Sequence, residues 1–406
     1  MTGKPNLLSV EDALGHVLDG VVPPVTEEVS LNEAAGRVLA QDVSARRTQP
    51  PFPASAMDGY AVRAEDAVAG ARLALVGEAA AGHLFPGTLQ AGQAVRIFTG
   101  GAVPPGADAV VIQENVDRED SHVVVRETAR AHQHVRAAGL DFRTGDTLLE
   151  SGRRLTPRAV ALAASMGHAR LTVARKPRVA ILATGDELVP AGTEPGPGQI
   201  VMSNFYAIAG VVTAEGGEVI DLGIERDDTE RLRARARAAI EAGADVLVTS
   251  GGASVGERDL VRAALQAEGM ALAFWRVAMR PGRPALFGRL HNMRVLGLPG
   301  NPASSHLCAW LFLRPLLRAL QGRPDTGHVT EEAVLGADLG QNDWRQDYIR
   351  ARLSFPEGGP TVATPFGKQD SSMLKLLAEA DCVIVRPPEE AVRVAGEPCR
   401  IMRFEG

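Results

Sequence analysis

Three groups of residues in this 406-residue chain could do chemistry together. Ser250-Gly251-Gly252-Ala253-Ser254-Val255-Gly256 follows an apolar run and precedes a helical pattern. Backbone N–H groups in such a turn, at the positive end of a helix, can hold an anion such as a phosphate. No Gly-Lys-Ser/Thr follows, so it is not a Walker A loop. The same glycines would also serve a tight strand-to-helix turn. Acids gather nearby in sequence order: Asp186 and Glu187, Asp227 and Asp228, and Asp259. Carboxylates that converge where an anion also binds usually hold a divalent cation, which removes their mutual repulsion. Asp227 or Asp228 could instead cap the helix that follows, and Asp259 could favour a helix N-terminus. Arg276, Arg280 and Arg283 fall within eight residues of an apolar, proline-broken stretch. Their guanidinium forks match oxyanions bidentately. The combination suggests Mg²⁺-dependent chemistry on a phosphorylated ligand. Neither a Ser/His/Asp or Cys/His nucleophilic grouping nor His-Glu-x-x-His can be read from the spacing.

The elements that must position these residues follow from periodicity. Ser9 with Asp12, and Ser30 with Glu33, announce two N-terminal helices, the second running toward Leu39. Pro50, Pro51 and Pro53 make the next stretch an extended connector. Short β runs at 72–76, 94–98, 109–112 and 122–125 form a β-rich module, and Thr156-Pro157 starts a helix reaching Met166. From Lys176 onward, strands at 178–183, 219–222, 245–249 and 295–298 alternate with helices at 204–215, 229–242, 258–268 and 302–320. That alternation predicts a parallel sheet covered on both faces, with ligands beyond the strands' carboxyl ends. The turns at Thr184-Gly185, at Ser250 to Gly256 and at Pro299-Gly300-Asn301-Pro302 lie there. After Gly322, β runs at 329–339, 348–354, 382–386 and 399–404 suit a small barrel. The expected fold is α/β and multidomain: an N-terminal helical and β-rich region over 1–175, an αβα domain over 176–325 and a C-terminal β-barrel over 326–406.

Composition narrows the function classes. A formal charge of −6 with 4% aromatic residues argues against a broad nucleic-acid-binding surface. The three cysteines form no C-x-x-C pair, which excludes a cysteine-rich zinc module and a disulfide framework and points to the reducing cytoplasm. The most apolar stretch, 307–320, is broken by Arg314 and Pro315, so no membrane span is expected.

Several motifs together carry a resemblance to a known family. Ser-Ala-Met-Asp-Gly-Tyr-Ala-Val (55–62), Thr-Gly-Gly-Ala-Val-Pro-Pro-Gly-Ala-Asp (99–108), Thr-Gly-Asp-Glu-Leu (184–188), Ser-Gly-Gly-Ala-Ser-Val-Gly (250–256) and Leu-Pro-Gly-Asn-Pro (298–302) run in one order along the chain. The chain resembles the molybdopterin molybdenumtransferases, the MoeA and gephyrin E-domain family, over essentially its whole length. The resemblance implies insertion of molybdate into the dithiolene of adenylylated molybdopterin, with Mg²⁺-assisted cleavage of the nucleotide bond and release of AMP. It assigns Glu187, Asp228 and Asp259 to the cation or the pyrophosphate, and Asp58, Thr99 and Asp141 to the N-terminal half of the site. Arg350 with Ser371 or Ser372 would be the barrel's contribution. Thr184, Gly185, Ser250, Gly251, Gly252, Ser254, Gly256, Pro299, Gly300, Asn301 and Pro302 would cradle the cofactor, and Arg276 and Arg280 would bind oxyanion. It also implies a homodimer with shared active sites, and as partners the molybdopterin adenylyltransferase and downstream cofactor-modifying enzymes. One departure stands out: Arg276, Arg280 and Arg283 occupy positions where the family usually has lysine.

Two rival readings remain. The sheet domain alone also resembles the adenylyltransferases that attach AMP to molybdopterin; the N-terminal motifs and the barrel favour the molybdenumtransferase. A non-catalytic molybdopterin-binding scaffold is the third class, which the retained acids disfavour.

Overall fold

The computed structural model describes residues 7–251 and 260–404. The chain divides into two compact units, one of Glu28–Ala35 and Gln41–Thr172, the other of Met1–Glu27, Gly36–Ala40 and Val173–Gly406.

In the first unit a six-stranded sheet runs in the order Ala109–Ile112, Gly59–Val62, Gln93–Ile97, Arg72–Ala79, His122–Val125, Val116–Glu119. Its apolar residues form two clusters, one around Tyr60, Val62 and Val111, the other around Ala61, Val95 and Val110. The Gly59–Val62 strand is buried along its whole length, which lets one short strand serve both clusters. The Pro157–Ser165 helix starts as its sequence predicts, with Thr156 Oγ1 accepting from the Ala159 amide. The Ser30 and Glu33 capping box is also present, but that helix is a single turn, Leu31–Ala34. Ala35 is extended and Gly36 takes a left-handed φ of 79°, which ends it well before Leu39.

In the second unit the strands Glu218–Glu225, Arg178–Thr184, Val246–Ser250 and Met293–Leu298 are parallel neighbours in that order. Alternate side chains feed opposite faces. Val179, Ile181, Val246, Val248, Leu296 and Leu298 pack under the Val10–Leu18, Asn204–Ala214 and Pro302–Leu320 helical segments. Ala180, Leu182, Leu247 and Val295 pack under the Thr229–Glu241 and Leu260–Ala267 helices. Each fully buried Val, Leu or Ile contributes about 1.5–3 kcal/mol, so the two cores fix the strand ends firmly. Two further strands, Leu286–Leu290 and Ala271–Trp275, extend this sheet antiparallel. They place the Arg276 to Arg283 segment in the connection between them.

Five strands close into a barrel: Gln346–Ser354, Val362–Pro365, Glu331–Leu335, Pro398–Arg403 and Cys382–Arg386, which pairs back onto Gln346–Ser354. The sheet and the barrel share one unit for two reasons. Met279 and Arg280 pair with Gln346 and Asp347 at the barrel's edge, and Tyr348, Val383 and Met402 belong to one of the sheet's own cores. No helix among the described residues is long and apolar enough to cross a membrane.

Candidate active site

The carboxyl ends of three parallel strands meet closely. Gly251, with φ near 99°, follows the Val246–Ser250 strand; a Cβ there would lie 2.2 Å from the Thr184 carbonyl oxygen. Gly251 therefore has to be glycine for both its backbone angle and its space. Its amide donates to the Leu298 carbonyl at 3.2 Å, tying it to the third strand. Gly185 has φ near 149°, and a Cβ there would strike the Glu187 carboxylate, which folds back over the strand end. Asn204, at the start of its helix, donates through Nδ2 to Ser250 Oγ at 2.9 Å and to the Gly300 carbonyl at 2.7 Å. One amide thus clamps two of the predicted turns together. Thr184 Oγ1 is buried and has no hydrogen-bond partner among the described residues. Gly252, Ser254, Gly256 and Asp259 lie outside the described residues.

A cleft of about 680 Å³ opens over these ends. Among the predicted residues Glu187, Gly251, Arg280, Pro299, Gly300, Asn301 and Ser371 line it. Pro302 sits behind it at the first position of a helix whose N-cap is Asn301. One of the barrel's loops reaches the cleft at Gln369, Asp370 and Ser371. Asn301 Nδ2 donates to Ser371 Oγ at 2.8 Å, and the Ala303 amide donates to the Ser371 carbonyl at 3.0 Å. Arg350 is buried and holds that loop from behind, donating to the Asp370 carbonyl at 2.7 Å and the Met373 carbonyl at 3.2 Å. The two serines now separate. Ser371 faces the cleft, whereas the Ser372 amide and hydroxyl both donate to Asp370 Oδ1 and close a local turn. Those bonds lower the Asp370 pKa.

The arginines take different places. Arg276 has a left-handed φ of 81° and stacks on Trp275, 3.8 Å from the ring centre, and it is not among the cleft-lining residues. Arg280 lines the cleft but is ion-paired with Asp347 and, at 3.2 Å, with Asp343; the Asp347 bond raises its pKa. Arg283 also lines the cleft and has no acidic partner among the described residues; its Nε is buried without a hydrogen bond. Arg345, which sequence reasoning did not single out, lines the cleft as well.

The acids divide too. Asp228 is the N-cap of the Thr229–Glu241 helix, its Oδ1 accepting from the Arg231 amide at 2.9 Å. Its neighbour Asp227 feels Asp186 and Glu187: burial first, then repulsion from those two carboxylates, raises its pKa. Among the described residues no three His, Cys, Asp or Glu side chains form a ready-made metal cage.

In the other unit Asp58 and Thr99 meet directly. Asp58 Oδ1 accepts from both the Thr99 amide and the Thr99 hydroxyl, each at 2.7 Å, and these bonds hold its pKa down. The two residues flank the ends of paired strands, Asp58 before Gly59 and Thr99 after Ile97 and Phe98, with Gly59 opposite Ile97. Asp141 is exposed in the same unit, its amide donating to the Gln49 carbonyl at 3.0 Å. No hydrogen bond or ion pair among the described residues joins it to Asp58 or Thr99.

Comparison with known proteins matches this chain to one family. The models for the MoeA N-terminal region (domain I and II), for a probable molybdopterin binding domain and for the MoeA C-terminal region (domain IV) match residues 8–167, 180–319 and 332–404. A molybdopterin molybdenumtransferase from Haemophilus influenzae is 35% identical over 98% of this chain and 99% of its own. The chain belongs to the molybdopterin molybdenumtransferase family. Molybdopterin molybdenumtransferase 2 from Mycobacterium tuberculosis is 38% identical over 92% of this chain and 93% of its own. The crystal structure of a molybdopterin biosynthesis MoeA protein from Pyrococcus horikosii superposes with a TM-score of 0.84, at 32% identity, covering 99% of this chain and 100% of that one.

Within this molybdenumtransferase fold, two site residues were missed in the sequence: Asn204, whose partners are 46 and 96 residues away, and Arg345. Asn204 looks like an ordinary first residue of an apolar helix. Arg345 sits in Asn-Asp-Trp-Arg (342–345), a polar and aromatic loop between barrel strands, and that clustering is the one signal that could have marked it. The acids suit a hard cation. Mg²⁺ typically takes only one or two protein carboxylates and completes its shell with water and substrate phosphate, and the Asp227, Asp186 and Glu187 repulsion is what such an ion would relieve.

Proposed function

We propose that this family member inserts molybdate into the dithiolene of adenylylated molybdopterin, cleaving the nucleotide bond so that AMP leaves as molybdenum cofactor forms. The observation that carries this reading is the 680 Å³ cleft itself. Its size falls within the roughly 300–1,000 Å³ of sites for small ligands and cofactors. Its floor is glycine turns at strand ends, and its wall carries Arg283 without an acidic partner. Oxyanions are drawn to such a wall by charge-assisted, forked hydrogen bonds.

Glu187, with Asp228 and Asp259 as sequence candidates and Asp227 as the acid that feels it electrostatically, would hold Mg²⁺. When bound, that ion supplies charge neutralisation of the pyrophosphate oxygens. The chain's own residues do the rest. Gly251 and Gly300 allow the ligand to approach the backbone, Asn301 and Ser371 offer polar side chains at the cleft, and Arg350 keeps the Ser371 loop in place. Thr99 holds the Asp58 carboxylate ionised and in one orientation. A homodimer in which Asp58, Thr99 and Asp141 of one subunit serve the cleft of its partner is part of the proposal, as is a cytosolic location.

Incubation with adenylylated molybdopterin, Mg²⁺ and molybdate tests the reading: AMP release that depends on molybdate and falls in Glu187→Ala is expected. Pyrophosphate release from molybdopterin and Mg-ATP instead would make the protein an adenylyltransferase. Tight binding with no cleavage would make it a scaffold.

A further inference from the structure

The 342–345 loop brings Arg345 to the cleft, and its construction resembles a support for a ligand-contacting cation. Asn342 is buried; its Nδ2 donates to the Arg345 carbonyl at 2.9 Å and the Pro387 carbonyl at 2.7 Å, and its Oδ1 accepts from the Asp343 amide at 2.9 Å. That amide is fully engaged and fixes the loop. Asp343 then gathers Arg345 from two directions. Its Oδ1 accepts from the Arg345 amide at 2.8 Å, and its carboxylate accepts from Arg345 Nε and Nη2. Arg345 Nη1 has no hydrogen bond among the described residues. The ring of Trp344 lies between two cleft arginines, its centre 5.6 Å from the Arg345 guanidinium carbon and 5.8 Å from that of Arg283.

We infer that Arg345 contacts a substrate oxyanion, and that Asp343 is a positioning residue which turns the guanidinium so that one edge faces the cleft. The inference rests on the function proposed above and deepens it. A surface ion pair needs none of this construction: exposed pairs are worth little and are seldom locked from behind by a buried amide. Here two nitrogens of the fork are occupied by Asp343, and the third, Nη1, has no hydrogen bond among the described residues in a side chain that lines the cleft. Arg280 shares Asp343 at 3.2 Å but has Asp347 as a second acid, so Arg345 is the residue that depends on Asp343 alone. The Asp343 carboxylate keeps its charge at working pH, because the Arg345 bonds bring its pKa down to about 2. The oxyanion is a tetrahedral one, molybdate or a phosphate of the adenylylated substrate.

Steady-state AMP release, with the two substrates varied separately, distinguishes these sources. Arg345→Ala is expected to raise one KM by about tenfold or more, the loss typical of a charge-assisted hydrogen bond, with kcat within about threefold. The KM that rises names the oxyanion. Arg345→Lys, which keeps the charge but not the fork, should fall between the two. Asp343→Asn should raise the same KM, and adding it to Arg345→Ala should change little, since it acts through that side chain. Unchanged KM values in a folded Arg345→Ala protein, or an Asp343→Asn effect that persists in full without Arg345, would overturn the inference. Isothermal titration with inorganic pyrophosphate and with molybdate needs no turnover. A wild-type protein that releases no AMP would therefore overturn the functional reading, while loss of binding in Arg345→Ala would still support the contact.

Discussion

Two groups of arginines in the second unit show how one residue type serves opposite ends. Behind the sheet, Glu215 is buried and receives Arg314 at 2.6 Å, Arg318 at 2.9 Å and Arg323 at 2.9 Å. In the cleft, Arg283 has no acidic partner among the described residues, and Arg345 has one nitrogen to spare. The first group is a closed electrostatic unit that joins the end of the Asn204–Ala214 helix to the Arg314–Leu320 segment and the chain that follows. The second is open, and openness in a half-buried cation is costly unless an anion arrives. Charge satisfaction therefore separates framework from site where residue identity does not.

The sharpest way to break that comparison is to open the closed group. Glu215→Ala should cost about 3–5 kcal/mol, because it leaves buried guanidinium groups uncompensated, and a urea melt of the second unit would read it as a lowered midpoint. Arg283→Ala should leave the urea midpoint nearly unchanged and weaken molybdate or pyrophosphate binding by about ten- to a hundredfold in titration. Similar losses of stability in both variants would erase the distinction. Gly251→Ala should cost about 1–3 kcal/mol and impair the cleft at the same time, since its left-handed backbone and the Thr184 carbonyl leave no room for a methyl group. A variant with normal stability and turnover would show that the strand ends are not tightly joined. The smallest effect is in pH. Burial of Glu215 pushes its pKa up, but the Arg318 and Arg314 bonds outweigh this and leave it lowered. Because the folded pKa lies below the unfolded value of 4.5, that stability is present above the unfolded value and is lost as pH falls through the folded one. Midpoints measured from pH 6 downward should drop less steeply in Glu215→Gln than in the wild type.

Much of this contrast was legible in sequence only on one side. The parallel strands announce themselves as short apolar runs before glycine turns, and the Thr156-Pro157 and Ser9 caps fix helix starts locally. The antiparallel pair Ala271–Trp275 and Leu286–Leu290 was hidden because the connection between them is the arginine- and proline-rich segment that draws attention to chemistry instead. The strand Gly59–Val62 was hidden by its brevity and its glycine start. Among site residues, Glu187, Gly251, Gly300 and Asn301 follow from their place after strands. Whether Asp227 or Asp228 caps its helix could not be read from spacing; the Arg231 amide decides it for Asp228. Nor could a linear pattern reveal that Arg280 is ion-paired with Asp347, a partner 67 residues away, while Arg283 is not.

The most direct test of the open cleft is a molybdate titration of AMP release by Arg283→Ala beside the wild type, with adenylylated molybdopterin and Mg²⁺ in excess. The account predicts release in the wild type that saturates with molybdate, and a curve displaced at least tenfold to higher molybdate in the variant, with an unchanged melt. Superimposable curves would contradict it.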